Sequence, residues 1–225
     1  LGKSLGQRAQ ALAVPPLALA FLLAAALAAP PLGAQVGVNP CRTPFARPGE
    51  IERALQQRSA AISAGTGGAR AYVDRSACLE RLGHVDQAIE DLNAALRLEP
   101  RSLEAWRDRA RLRARLGNLD EAVADLDEAL RLRPADTLAH QWRGEVFARL
   151  GRHREAVADF DHIVRAAPDS VAARPGRAKS LTLLGEHERA IVDLDEALRL
   201  DPRYTPALLG RGEAHAKAGR HARAI

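Results

Sequence analysis

The side chains able to do chemistry recur at one interval. Arg75, Arg109, Arg143, Arg177 and Arg211 stand 34 residues apart, and so do Asp91, Asp125, Asp159 and Asp193. Opposite charges recurring in phase suit an arginine–carboxylate ladder that sets register rather than a track for a ligand. His153, His187 and His221 keep the same interval. Three imidazoles a helix spacing apart cannot converge on one ion, whose ligands all lie within about 2 Å of it, so they read as turn residues. Asp161-His162 and Glu186-His187-Glu188 are chain neighbours whose side chains diverge on a helix. No Gly-x-Ser-x-Gly, His-Glu-x-x-His or other nucleophile–base arrangement occurs, and Gly65-Thr66-Gly67-Gly68 lacks the Gly-Lys-Ser/Thr ending of a phosphate loop. Catalytic residues, a metal and a cofactor are therefore not expected. The densest cationic feature is Arg107, Arg109, Arg111, Arg113 and Arg115. On a helix, Arg107, Arg111 and Arg115 form one stripe at i, i+4 and i+8, able to offer charge-assisted hydrogen bonds to carboxylates. Glu104 and Asp108 lie three residues before Arg107 and Arg111, whereas Arg115 has no such acid in its own helix.

What places these groups is a repeated stretch. LGNLDEAVADLDEALRLRP at 116–134 returns as LGHVDQAIEDLNAALRLEP at 82–100, LGRHREAVADFDHIVRAAP at 150–168 and LGEHERAIVDLDEALRLDP at 184–202, and AGRHARAI opens a further copy at 218. Each unit reads as two helical segments. The first ends at Gly83, Gly117, Gly151, Gly185 or Gly219, a residue that takes the left-handed conformation cheaply. The second carries one wide apolar stripe, as in Ala122, Val123, Leu126, Ala129 and Leu130, and stops at Pro100, Pro134, Pro168 or Pro202. Self-similarity at this period marks an array whose units bury their apolar faces only against neighbours.

From residue 69 onward the chain resembles the tetratricopeptide repeat family. Counting from the first residue of each unit (69–102, 103–136, 137–170, 171–204 and 205–225), position 8 is small (Ser76, Ala110, Gly144, Ala178, Gly212) and position 20 is Ala (Ala88, Ala122, Ala156, Ala190, Ala224). Ala95, Ala129 and Ala197 hold position 27, and position 32 is the proline. Departures are a position 4 aromatic only at Tyr72 and Trp106, Arg113 and His215 at position 11, Ile163 at position 27, and Pro175-Gly176 early in a first helix, which should shorten it. The resemblance implies an all-α, right-handed superhelical solenoid of antiparallel helix pairs that binds proteins or peptides on a concave face lined by the first helices. Positions 2, 5, 9, 12 and 13 would then form a groove holding Arg70, Arg81, Arg107, Arg111, Arg115, Arg149, Lys179 and Lys217 against Glu80, Glu104, Glu145 and Glu213. Such a groove suits an extended acidic peptide or a free C-terminal carboxylate. The family's carboxylate clamp does not carry over, because Asn118 and Asn93 do not fall on this surface.

Composition narrows the partners. Net charge is +5, but Lys3 and Arg8 precede the array and the remaining charges of both signs are interspersed, a solvated-face pattern that disfavours nucleic acid. Ahead of the array, residues 1–34 show two cations, an apolar core from Leu17 to Ala29 and small residues ending at Ala34. This is the layout of a secretory signal peptide cleaved after Ala34, giving a periplasmic or secreted protein without stable membrane insertion; the alternative is an uncleaved membrane anchor. In an oxidising compartment Cys41 and Cys78 are able to pair. Residues 35–48 read as a linker and 49–68 as an N-terminal capping helix followed by a Gly-rich turn. The expected function is a non-catalytic scaffold for a protein or acidic peptide. Self-association, an envelope-complex role, or the repeat part of a longer enzyme are the alternatives.

Overall fold

A computed structural model describes residues 39–220; the expected leader, with its cleavage point, and His221 lie outside that range. The described chain is ten α-helices with a short 3-10 turn, Pro40–Arg42, in front. They are α1 (Pro48–Ser63), α2 (Gly68–Arg81), α3 (Val85–Leu98), α4 (Leu103–Leu116), α5 (Leu119–Leu132), α6 (Thr137–Arg149), α7 (His153–Ala166), α8 (Ala173–Leu183), α9 (His187–Leu200) and α10 (Thr205–Lys217). Helices α2, α4, α6, α8 and α10 are the first helices of successive units, and α3, α5, α7 and α9 the second. Gly117 caps α4 at φ 89°, donating back to Arg113 and Ala114 carbonyls, and the other marker glycines share its positive φ. α8 is the shortest helix, with 11 residues, as Pro175 near its start leads one to expect.

The apolar core is segmented along the array, and each large segment crosses a joint between units. One cluster joins Val73, Leu79, Leu92 and Leu96 to Ala105 and Leu112 of the next unit. A second runs from Ala110 through Leu126 and Phe160 to Ala173. Small residues let the backbones close: Ala88, Ala122, Ala156 and Ala190 are wholly buried. First helices of neighbouring units also touch one another, α4 with α6, α6 with α8 and α8 with α10, which makes them the inner, shorter layer of the solenoid.

Helix α1 keeps the 34-residue phase. Gly49, Ala54 and Ala61 precede Gly83, Ala88 and Ala95 by one unit, and Ile51 and Ala54 are buried against α2. It is the second helix of a unit that shows no first α-helix among the described residues. Residues 39–43 take that place: Cys41 is bonded to Cys78 of α2, and both are buried beside Ile51 and Ala54. Closing a loop of 37 residues stabilises by about 3–4 kcal/mol in the chain-entropy account.

Phe160 in α7 shows how tight a joint is. A Cβ on Gly144 would lie 3.1 Å from its ring, and one on Gly176 of the next unit 2.8 Å. Gly176→Ala gains up to about 1 kcal/mol of helix propensity but meets a ring that is 1% exposed and cannot retreat. Urea unfolding should show Gly176→Ala less stable by about 1–2 kcal/mol, and Phe160→Leu should restore it. Gly49→Ala, with nothing within 4 Å of the new Cβ, should instead gain about 0.5–1 kcal/mol.

Candidate functional site

The inner face is built on the first helices, and its charges must be followed to their partners. The position 7 arginines turn away from it. Arg109 Nε and Nη2 donate to the two oxygens of Asp125 at 2.9 and 2.6 Å, and Nη1 donates to Asn93 of the preceding unit at 2.6 Å. Arg143 grips Asp159 the same way and reaches back to Asp127; Arg177 grips Asp193 and reaches back to Asp161. Arg75 holds Asp91, with Ser59 of α1 as its backward contact, and Arg211 reaches back to Asp195. The four gripped aspartates are buried. The sequence shows the forward half of this ladder. It misses the backward half at position 25, where Asn93, Asp127, Asp161 and Asp195 also recur.

A second recurring device sits at position 4, where the repeat pattern looked broken. Trp106 Nε1 donates to the Pro100 carbonyl at 2.9 Å, His140 Nε2 approaches that of Pro134 at 3.0 Å, and Arg174 Nη2 donates to that of Pro168 at 2.7 Å. Three different side chains thus serve the same carbonyl, left open where the second helix ends. His140 Nδ1 also lies 2.7 Å from Asp159 Oδ1, and its ring stacks on His162 with centroids 3.9 Å apart. Burial, and then the neighbouring His140, push His162 below its ordinary value. His153 and His187 open α7 and α9, and no metal-holding group of three or more His, Cys, Asp or Glu exists among the described residues.

Of the eight groove cations expected from the sequence, six are engaged within the chain. Arg107 donates to both oxygens of Asp136 at 3.1 Å, and Asp136 also caps α6 through the Ala139 N–H. Arg111 makes a two-pronged contact with Glu80 at 2.5 and 2.6 Å, and Arg115 shares that carboxylate at 2.5 Å. Arg70 pairs with Glu104 and Asp74, while Arg81 and Arg149 donate to the carbonyls of Thr43 and Ala114. Arg115 therefore has an acid after all, 35 residues back on α2. Arg113, a departure from the family pattern at position 11, joins Arg109 on Asp125. Lys179 and Lys217 are exposed and have no salt-bridge partner among the described residues.

The inner face consequently has two characters. Over the first two units it is a closed lattice of ion pairs. Over the last three it shows Leu138 (48% exposed), Leu183 (50%) and Leu209 (71%) with the two lysines and the exposed carboxylates of Glu145 and Glu213.

The tetratricopeptide repeat family model matches residues 74–137, 108–171, 143–204 and 176–225. No curated protein matches the chain. Among solved structures, MamA (residue 41 to its end) from Desulfovibrio magneticus RS-1 is 24% identical with a TM-score of 0.66, covering 69% of this chain and 88% of that one. A tetratricopeptide repeat protein from Parabacteroides merdae is 23% identical with a TM-score of 0.70, covering 78% and 70%. YrrB, described as a TPR protein with an unusual peptide-binding site, is 18% identical with a TM-score of 0.66, covering 76% and 88%. At these identities the likeness is one of fold.

Glu80 gives the closed lattice a pH limit. Burial alone would raise its carboxyl, but the Arg111 hydrogen bond and the charges of Arg111 and Arg115 outweigh it and hold the group below the usual carboxylate range. A depressed carboxyl contributes stability above its unfolded value and loses it as pH falls through the folded one. Glu80→Gln should therefore melt below wild type at pH 7, with the two melting points converging as pH drops below 4.5. A difference that persists undiminished in acid would show that the ion pairs contribute nothing.

Proposed function

Because the chain belongs to the tetratricopeptide repeat family, we propose that it is a non-catalytic scaffold holding an extended segment of another protein along the inner face of its last three units. The observation that carries this reading is the division of the inner face. The inner-face cations of the first two units already have acceptors, whereas Lys179 and Lys217 have no salt-bridge partner among the described residues and share the face with exposed Leu138, Leu183 and Leu209. Such a surface fits a peptide with apolar side chains and one or two carboxylates, the leucines supplying area and the lysines orientation. The peptide-binding site of YrrB supports the same use of the fold. Fold alone does not fix function, and it is the exposed leucines and lysines of this surface that favour a peptide ligand. The arginine stripe serves mainly to hold the array, and its outer members contribute steering charge.

We further propose that the protein works outside the cytosol, released by cleavage after Ala34. The layout of residues 1–34 and the cystine between Cys41 and Cys78 support that placement.

Peptides selected from a random display library on the immobilised protein should combine apolar residues with an acid. Lys179→Glu with Lys217→Glu should weaken their binding at low salt by about tenfold, a loss that shrinks as salt rises. Arg115→Gln should leave binding within about twofold, because Arg115 already serves Glu80. Unchanged affinity in the double lysine variant would remove the last three units from the binding site.

N-terminal sequencing of protein recovered from the periplasm or medium should begin at Gln35. Recovery from the cytosol with residues 1–34 intact would refute export.

A further inference from the structure

Residues 39–43 touch the array in a way that capping does not require. Asn39 is buried and donates to the backbone carbonyl and a carboxylate oxygen of Asp74 at 3.2 and 3.1 Å. Arg42 reaches past α2 to the next first helix, α4, where its Nη2 lies 2.6 Å from Asp108 and 3.0 Å from Glu104. The Thr43 carbonyl accepts from Arg81 at 2.6 Å. These contacts fall at positions 2, 6 and 13 of first helices, so the segment is laid along them as an extended ligand would be. Its guanidinium occupies a notch formed by two carboxylates on α4.

We propose that the Cys41–Cys78 bond is a clamp that seats the chain's own segment 39–43, Arg42 foremost, on the inner face of the first two units, and that before the bond forms this face accepts an arginine-bearing extended segment of another chain. The ligand class follows from the occupant, since a guanidinium already fills the notch with charge-assisted hydrogen bonds. The clamp closes by thiol–disulfide exchange. Two protein thiols and one disulfide-donating oxidant yield the protein disulfide and two donor thiols, as an oxidising compartment supplies. Once formed, the cystine is sealed in, with Cys78 0% and Cys41 3% exposed, so attacking thiols cannot reach it and closure runs one way. A tethered occupant held by a covalent bond outcompetes a free peptide through its effective concentration. This site is separate from the one around Lys179 and Lys217, and the variants below leave those residues untouched, so either reading can fail alone.

Trypsin and a probe peptide test the proposal. Arg42–Thr43 is the one tryptic bond in the segment, since Pro48 blocks cleavage after Arg47. In the oxidised full chain that bond should resist trypsin. In Cys41→Ser/Cys78→Ser it should be cut at least tenfold faster, while bonds after Arg109 and Arg143 keep their wild-type rates. Equal resistance in a variant with intact helical circular dichroism would show that no clamp is needed. Labelled acetyl-Asn-Pro-Ser-Arg-Thr-Pro-amide should bind Cys41→Ser/Arg42→Ala/Cys78→Ser, should not bind the oxidised wild type, and should lose binding when Glu104→Gln and Asp108→Asn are added. No binding to the folded triple variant would overturn the receptor role. Should the cysteine-free proteins unfold, Arg42→Ala with its disulfide intact carries the test. Its emptied notch should take up acetyl-arginine-amide that wild type ignores, and failure to do so overturns the proposal.

Discussion

Four of the five position 7 arginines, Arg75, Arg109, Arg143 and Arg177, are held by three anchors at once, two oxygens of one buried aspartate in the same unit and one acceptor in the unit before. Take Arg109, with Asp125 ahead and Asn93 behind. The aspartate has been removed from water; at Asp91, held among the described residues by Arg75 alone, losing the guanidinium would strand a buried charge at a cost of roughly 3–5 kcal/mol. The planar fork then fixes how the second helix lies on the first, and the third anchor fixes how one unit follows another. Apolar contacts among alanines and leucines supply most of the free energy but tolerate sliding; the fork does not. The pitch of the solenoid rests on this contact, and with it the spacing of everything presented on the inner face.

The rest of the charge distribution follows. The buried acids on second helices are taken up by the ladder, and inner-face arginines find theirs on neighbouring first helices or in the turns between units, as Arg111 does at Glu80 and Arg107 at Asp136. Where the lattice of charges stops, after the second unit, leucines and lysines remain without such partners among the described residues, and the surface changes from a self-satisfied lattice to an open one. Position 4 shows the same economy. A tryptophan, a histidine and an arginine share no shape, yet each brings an N–H to the proline carbonyl at the end of the preceding unit.

Much of this is readable from residue types. The glycines and prolines at a fixed step give helix ends, the alanines give the close approaches, and in-phase Arg and Asp give the forward rung of the ladder. What sequence hides is contact between units. Glu80 is 31 and 35 residues from Arg111 and Arg115, so a search for acids three or four residues away within one helix finds nothing for Arg115. The backward rung escapes because Asn93 breaks the charge pattern and Ser59 stands in a unit not recognised as one. That unit is masked in turn by Arg58, which occupies the place of Leu92, Leu126, Phe160 and Leu194, and by Thr66 in place of the proline. The position 4 device escapes because its chemistry is conserved in function and not in type. Trp106, His140 and Arg174 look like decay until their common acceptor is seen.

The Phe160 ring has a consequence for how such a gene can be edited. It lies between Gly144 of its own unit and Gly176 of the next, so the complementarity of knob and hole straddles the boundary at which the sequence repeats. Cutting the coding sequence at 34-residue borders and shuffling the pieces would set the phenylalanine against positions such as Asp108, where there is no hollow to receive it. Pieces running from one second helix through the following first helix would keep Phe160 with Gly176, and the wall left behind, Gly144, falls at position 8, which is small in every unit. By that measure the module that duplication and recombination can move with least damage is offset by half a repeat from the one the eye reads in the sequence.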